Sequence, residues 1–422
     1  MDVILILSYI GVLLGLGIII ANLMKKIRIP DALALILLGL FLGPTIYRNP
    51  LISSNIQLKL IDVAAMGIVP DIVRMTAIIL IVFISTFSMP ISMFKRFSDV
   101  SLRLAFFIPI LNTAILGIVA HFLFNLEWIY AFLLSSILCG TSVGVLYTFE
   151  KYFSEKKIIN TLKMESIFNS PLSVLLPLMF LGIVTNPSIF EPIKHISQFW
   201  LLIAAGVGTG LVVGFGMTKI LKTILKEYTP LLLFATALIT FTLAENVGGS
   251  GMLAVAICGL IVGNYSSGIR EEALKFEDQI SELLRIAVFT LLGAQIYFSI
   301  TAEQFLLALV FFFVIVILRP LMLILFMRKE RKEMSREDFL MLSFIAPKGA
   351  VEAAMAPVVA SALLIAGMSA MADSIMNIVF CIIVFSILLS TIICEIAYKK
   401  SEKEKSIKKI YKNYEKLRLP KS

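Results

Sequence analysis

The chain has 422 residues, of which 59% are hydrophobic and only 15% charged, and its mean hydropathy is +0.97. Soluble domains do not carry that balance, so composition alone points to an all-α polytopic membrane protein. The net charge of +9 is no sign of nucleic-acid binding, because the basic residues sit in short loops between apolar segments.

Thirteen apolar segments are long enough, or nearly so, to cross a bilayer. In chain order they cover 3–24, 31–46, 75–93, 101–124, 128–148, 164–185, 198–218, 229–246, 250–265, 283–300, 304–327, 338–365 and 374–397. The first lacks a basic leader and a small-residue cleavage site, so it reads as a retained helix and not a signal peptide. The second is short, and residues 57–72 offer an additional surface helix. The tail from Lys399 is basic and polar and reads as a frayed helix on the membrane surface. Cys139, Cys258, Cys381 and Cys394 all lie in apolar runs without metal-ligand spacing, and there are only two histidines, so neither a disulfide framework nor a metal or other cofactor is expected.

Loop charge predicts the orientation. Loops after odd-numbered segments carry most of the Lys and Arg, among them Lys25, Lys26, Lys95, Arg96, Arg103, Lys151, Arg328 and Arg331; the even-numbered loops hold only Arg48, Lys59, Arg74 and Lys194. The N-terminus is therefore expected outside the cell membrane and the C-terminus in the cytoplasm.

Two segments have broken interiors. Segment five contains "CGTSVG" (Cys139–Gly144) and segment twelve contains "APKGAVE" (Ala346–Glu352). Gly and Pro at mid-membrane are tolerated where backbone lines a cavity or is covered by protein. Each interruption lies in the middle member of a triplet, 101–185 and 304–397. Equivalent members are seven segments apart, so the triplets cross in opposite senses. That pattern predicts an inverted repeat with two discontinuous crossing helices, the sequence mark of a transporter's midplane site.

Few charges fall deep in the apolar segments: Glu165, Glu245, Arg319, Lys348 and Glu352, with Arg285 nearer an end. Each costs about 2.5–3.5 kcal/mol on insertion scales when unpaired, so each is expected to pair or to face water. Glu165 and Asn169 share a helical face, and Ser166 and Ser170 form a second pair rotated by about 100°. This stripe reads either as the wall of an ion site, since carboxylate, amide and hydroxyl oxygens suit hard cations, or as interhelical glue with Glu165 neutralised by Arg319. Lys348 and Glu352 are also four apart: either a local ion pair, or a titratable carboxylate tuned by a lysine. Gly206, Gly210 and Gly214 recur every four residues and predict close helix packing.

These motifs carry a resemblance. The stretches "KIRIPDALALILLGLFLGP" (Lys26–Pro44), "LAENVGGSGMLAVAICGLIVGN" (Leu243–Asn264), "VILRP" at Arg319, "APKGAVEAA" and "ESIFNSP" from Glu165 resemble prokaryotic sodium/proton antiporters of the cation:proton antiporter superfamily over essentially the whole chain. The resemblance implies thirteen helices and an inverted-repeat core of 101–185 and 304–397. It implies a dimerisation scaffold of 1–93 and 198–300, a homodimer, and elevator-like alternating access; residues 398–422 form the cytoplasmic tail. It also implies that Arg319 pairs with Glu165. The resemblance does not by itself carry over the ion chemistry; Thr141, Ser142, Ser166, Asn169 and Ser170 are the candidate ion-site residues. Relatives carry acids where Ser142 and Ser170 stand here, and Pro where Glu352 stands.

Those differences divide the functional reading. A carboxylate holds a cation when ionised and a proton when neutral; serine does not titrate near neutral pH. Either Glu352 or Glu165 has taken over, and the chain exchanges protons for a monovalent cation (Na+, or Li+ or K+), serving pH and sodium homeostasis. Or exchange is lost, leaving a uniporter, a leak pathway or a regulatory membrane subunit. An enzyme is not expected, because no nucleophile–base pair or catalytic domain is present.

Overall fold

The computed structural model describes residues 3–27, 31–43, 63, 66–141, 156–185, 192–223, 228–265, 270–295, 301–345 and 348–418. Among them the regular structure is helical throughout. The α-helices are α1 Val3–Ile27, α2 Asp31–Leu42, α3 Val69–Phe87, α4 Ile91–Phe124, α5 Trp128–Ile137, α6 Lys156–Thr185 and α7 Pro192–Thr223. Then follow α8 Thr229–Asn246, α9 Gly251–Tyr265, α10 Arg270–Gln295, α11 Ala302–Phe326, α12 Arg336–Phe344, α13 Ala350–Ile365 and α14 Ser369–Arg418. Each expected segment has its helix, and the twelfth is split into α12 and α13. The proposed surface helix at 57–72 lies largely outside the described residues.

Local chemistry sets several helix ends. Thr301 and Gln304 form a capping box that opens α11. The Ser335 hydroxyl accepts the Asp338 N–H at 3.0 Å and starts α12. Asn125 ends α4 in the left-handed conformation at φ 51°, which a short polar side chain tolerates.

Seven described helices are long and apolar enough to span a bilayer alone, and five shorter apolar stretches accompany them. The shorter ones include Trp128–Ile137 and Val351–Ile365, which flank the two interruptions. Apolar length is lost there because the polar groups that break the helices are held by protein and not by lipid.

The structure corrects several expectations. Lys95, Arg96 and Arg103 belong to the continuous helix α4, not to a loop. Arg74 is not a loop residue either; it is fully buried within α3 and donates to Asp71 at 2.7 Å. Glu245 is exposed and ends α8, where its carboxylate accepts the Gly251 N–H at 2.8 Å and caps α9; helix N-termini favour a carboxylate there. The tail continues α14 without a break to Arg418.

Helices α4, α5 and α6 pack on one another and meet α11 and α13, while α1, α2 and α3 pack with α8, α9 and α10, and α7 lies against α8 and α9. The second group is joined at glycine. A Cβ on Gly206 would lie 2.7 Å from the Ser250 carbonyl oxygen, and one on Gly210 2.5 Å from that of Ala254, so α7 and α9 touch backbone to backbone, as the four-residue spacing predicts. Gly39 and Gly293 cross in the same way, binding α2 to α10. An ion pair adds to that contact: both terminal nitrogens of Arg285, Nη1 and Nη2, donate to the Asp31 carboxylate, Nη2 to Oδ2 at 2.7 Å. A Gly210→Leu substitution forces backbones apart along this seam. It is expected to lower the melting temperature in detergent by several degrees, whereas Gly208→Leu, which points into open space, leaves it unchanged.

Candidate ion site

The site forms where the two interruptions meet. After α5 the chain leaves the helix at Leu138, and after α12 it leaves at Ile345 and re-enters at Ala350. A helix end inside a membrane exposes carbonyls at its C-terminus and N–H groups at its N-terminus, and these carry partial negative and positive charge. Each charged side chain of the site sits on the end of opposite sign. The Lys348 ammonium donates to the Leu138 carbonyl at 2.6 Å and to the Gly140 carbonyl, both just past the C-terminus of α5. The Glu352 carboxylate lies in the first turn of α13 and accepts the Gly349 N–H through Oε2 at 2.7 Å. Lys348 and Glu352 therefore do not make the local ion pair that their spacing permits; each is taken by a helix end. The Lys348 backbone N–H donates to Ser386 Oγ at 2.9 Å, tying the second interruption to α14.

A polar cluster adjoins this pair. Asn169 Nδ2 donates to Thr141 Oγ1 at 2.8 Å, and Thr141 Oγ1 lies 2.9 Å from Ser166 Oγ. Ser173 Oγ donates to the Asn169 carbonyl at 2.9 Å. Gly140 is the close-approach point: a Cβ there would lie 2.8 Å from Ser173 Cβ and 3.3 Å from Glu352 Oε1. Two buried oxygens, Asn169 Oδ1 and Glu352 Oε1, have no hydrogen-bond partner. Both belong to side chains that touch the Gly140–Thr141 turn, and oxygen acceptors left over in a buried polar cluster are what a dehydrated monovalent cation or a proton requires.

Glu165 lies one turn away on α6 and is fully buried. Its two oxygens receive Arg319 Nη1 and Nη2, each at 2.8 Å, and Arg319 Nε donates to the Leu342 carbonyl at 3.2 Å. The bidentate pair joins α6 to α11 and leaves no Glu165 oxygen over. Arg103 makes a second link, from α4 to Glu330 beyond α11 at 3.0 Å.

The structure thus brings together Thr141, Ser166, Asn169, Lys348 and Glu352, and holds Glu165 and Arg319 beside them. Ser142 lies outside the described residues, and of Ser170 only the helical backbone position is described. Sequence reasoning missed Gly140, Ser173 and the Leu138 and Gly140 carbonyls. Ser173 shares a face with Asn169 at i,i+4 and was findable; backbone carbonyls have no residue signature.

A multi-pass helical bundle in which the end of α5 and the break between α12 and α13 meet at a buried polar cluster is the architecture of a secondary transporter. Residues 11–400 match the family described as sodium/hydrogen exchanger, transmembrane, and the chain belongs to that family. The probable Na(+)/H(+) antiporter 2 of Methanocaldococcus jannaschii is 29% identical over 313 residues, covering 70% of each chain. The Na(+)/H(+) antiporter 1 of the same organism is 27% identical over 324 residues, covering 72% of each. The solved structure of the sodium proton antiporter MjNhaP1 from that organism at pH 8 aligns over 95% of this chain and 99% of that one, with a TM-score of 0.80 and 25% identity.

Removing one partner of a buried ion pair strands the other. Arg319→Leu is expected to destabilise the protein by about 3–5 kcal/mol, read as loss of folded protein in a thermal unfolding series. Combining it with Glu165→Leu is expected to recover most of that loss.

Proposed function

We propose that the chain exchanges protons for a monovalent cation, with Na+ the first candidate, and that Glu352 is the carboxylate that trades one for the other. The observation that carries this reading is Glu352 Oε1: a buried carboxylate oxygen without a partner, beside Gly140 and next to the Asn169–Thr141–Ser166 cluster. Glu165 is the weaker candidate, because Arg319 occupies both of its oxygens. Asn169 Oδ1, the Thr141 and Ser166 hydroxyls and, from the adjoining segments, Ser142 and Ser170 complete the cation's oxygen shell. Lys348 balances the charge of Glu352 while the α5 carbonyls hold it.

In this reading α4–α6 and α11–α14 form the translocating core and α1–α3 and α7–α10 the scaffold and dimer contact. The N-terminus is outside and the C-terminus cytoplasmic, as the loop charges favour. Sodium/proton antiporter relatives over about 70% of the chain support Na+ as the first cation to test; the homodimer is the assembly that the family resemblance implies.

The test is cation-driven pH change in proteoliposomes. Wild type is expected to exchange Na+ for protons, and Glu352→Gln to fall to background while folding normally, since the amide oxygen still accepts the Gly349 N–H. Glu352→Gln activity equal to wild type overturns the assignment of the carboxylate. Absence of exchange by wild type with sodium, potassium and lithium from acid to alkaline pH overturns the function. It would favour the second reading, a member without proton exchange, in which the double change Ser142→Asp and Ser170→Asp is expected to confer sodium/proton exchange.

A further inference from the structure

Between α3 and α4 the chain leaves the helical path at Ser88, Met89 and Pro90. In the proposed function this is a joint, where the chain passes from scaffold to moving core. The residue that begins α4 has no local cap: Pro90 stands at the N-cap and provides no side-chain acceptor. The acceptor comes instead from the neighbouring scaffold helix α9. Asn264, in the last turn of α9, accepts the Ile91 N–H through Oδ1 at 2.7 Å. The same amide donates through Nδ2 to the Met89 carbonyl at 2.8 Å and to Leu260, one turn back in its own helix, at 2.7 Å. One side chain therefore grips both sides of the joint and is itself anchored in α9.

The anchor is fixed to α3 as well. Gly259 and Gly263 bring α9 onto the backbone of α3; a Cβ on Gly263 would lie 2.7 Å from the carbonyl carbon of Phe87, and one on Gly259 2.7 Å from the oxygen of Phe83. Without a Cβ at these two glycines, the backbone of α9 packs directly on the end of α3. The point that Asn264 holds is thus stationary in the scaffold, while the helix that starts there runs 34 residues through the core.

We propose that Asn264 is the pivot pin of the scaffold–core joint: a delegated N-cap that fixes the start of α4 in position while leaving its direction free to change. Two hydrogen bonds that converge on one amide hold a point but not an angle, which is what a hinge between two packed bodies requires. This inference rests on the reading that the core moves against the scaffold.

Two measurements on the full chain test it. In proteoliposomes, Asn264→Ala is expected to lower maximal turnover, by about tenfold where a conformational step limits the cycle, while equilibrium cation binding stays within about twofold. Asn264→Asp keeps the acceptor for Ile91 and is expected to fall between the two. The second measurement needs no flux. Spin labels at Phe122, an exposed position in the last turn of α4, and at Leu243, exposed on α8, are expected to give a broader distance distribution in Asn264→Ala than in the parent. A merely structural role for Asn264 lowers the melting temperature and leaves that distribution unchanged. An unchanged distribution overturns the proposal whatever the flux does. Absent exchange by the parent protein with a broadened distribution retains the pivot and removes only the transport reading.

Discussion

Arg319 cannot shed its charge inside the bilayer, and the core is arranged around that fact. A guanidinium stays protonated at any pH the protein meets, so its five donors need acceptors that do not come from water. Glu165 provides two oxygens and the Leu342 carbonyl a third. The pair draws α6 from one triplet against α11 and the end of α12 from the other. Once those helices are fixed, the polar face of α6 can only look toward the interruption after α5. Asn169, Ser166 and Ser173 meet Gly140 and Thr141 because Glu165 is already committed elsewhere.

The same economy governs the second pair of charges. A helix that stops in mid-membrane leaves partial charges that water cannot screen. The carbonyls past α5 take the Lys348 ammonium and the first turn of α13 takes the Glu352 carboxylate. Neither side chain exhausts the other, and the consequence is chemical. Glu352 keeps one oxygen available within the cluster, which a direct salt bridge with Lys348 would have consumed. The two buried carboxylates thus differ in how many of their oxygens the fold uses, both for Glu165 and one for Glu352.

Much of this could be read from the residues, and what could not has a physical cause. Hydrophobic length gave thirteen crossings, because a bilayer imposes one length scale on every segment. The glycine period on α7 foretold a backbone seam, because only a missing side chain permits that approach. Helix ends were less legible: Glu245 counted as a deep charge until the turn at Val247–Ser250 placed it at an exposed cap, and Arg103 counted as a loop residue within what is one long helix. The Asp31–Arg285 pair escaped notice because Asp31 stood at a segment boundary and its partner is 254 positions away. Lys348 posed the hardest problem. Its partners are main-chain oxygens, and any residue type would have displayed them.

The four buried charges at the meeting of the triplets, Glu165, Arg319, Lys348 and Glu352, bear on the membrane potential. With all four ionised they sum to zero, so this cluster by itself presents no net charge to the field. Moving one uncompensated charge across 100 mV would be worth about 2.3 kcal/mol. In the proposed exchange, a monovalent cation bound beside Glu352 would add one positive charge, and a proton on Glu352 would add the same. The cation-loaded and the proton-loaded core are then electrical equals, and voltage favours neither direction of a one-for-one trade. That equality comes from the equal charge of cation and proton; Lys348 offsets Glu352 and so makes the empty four-charge cluster neutral.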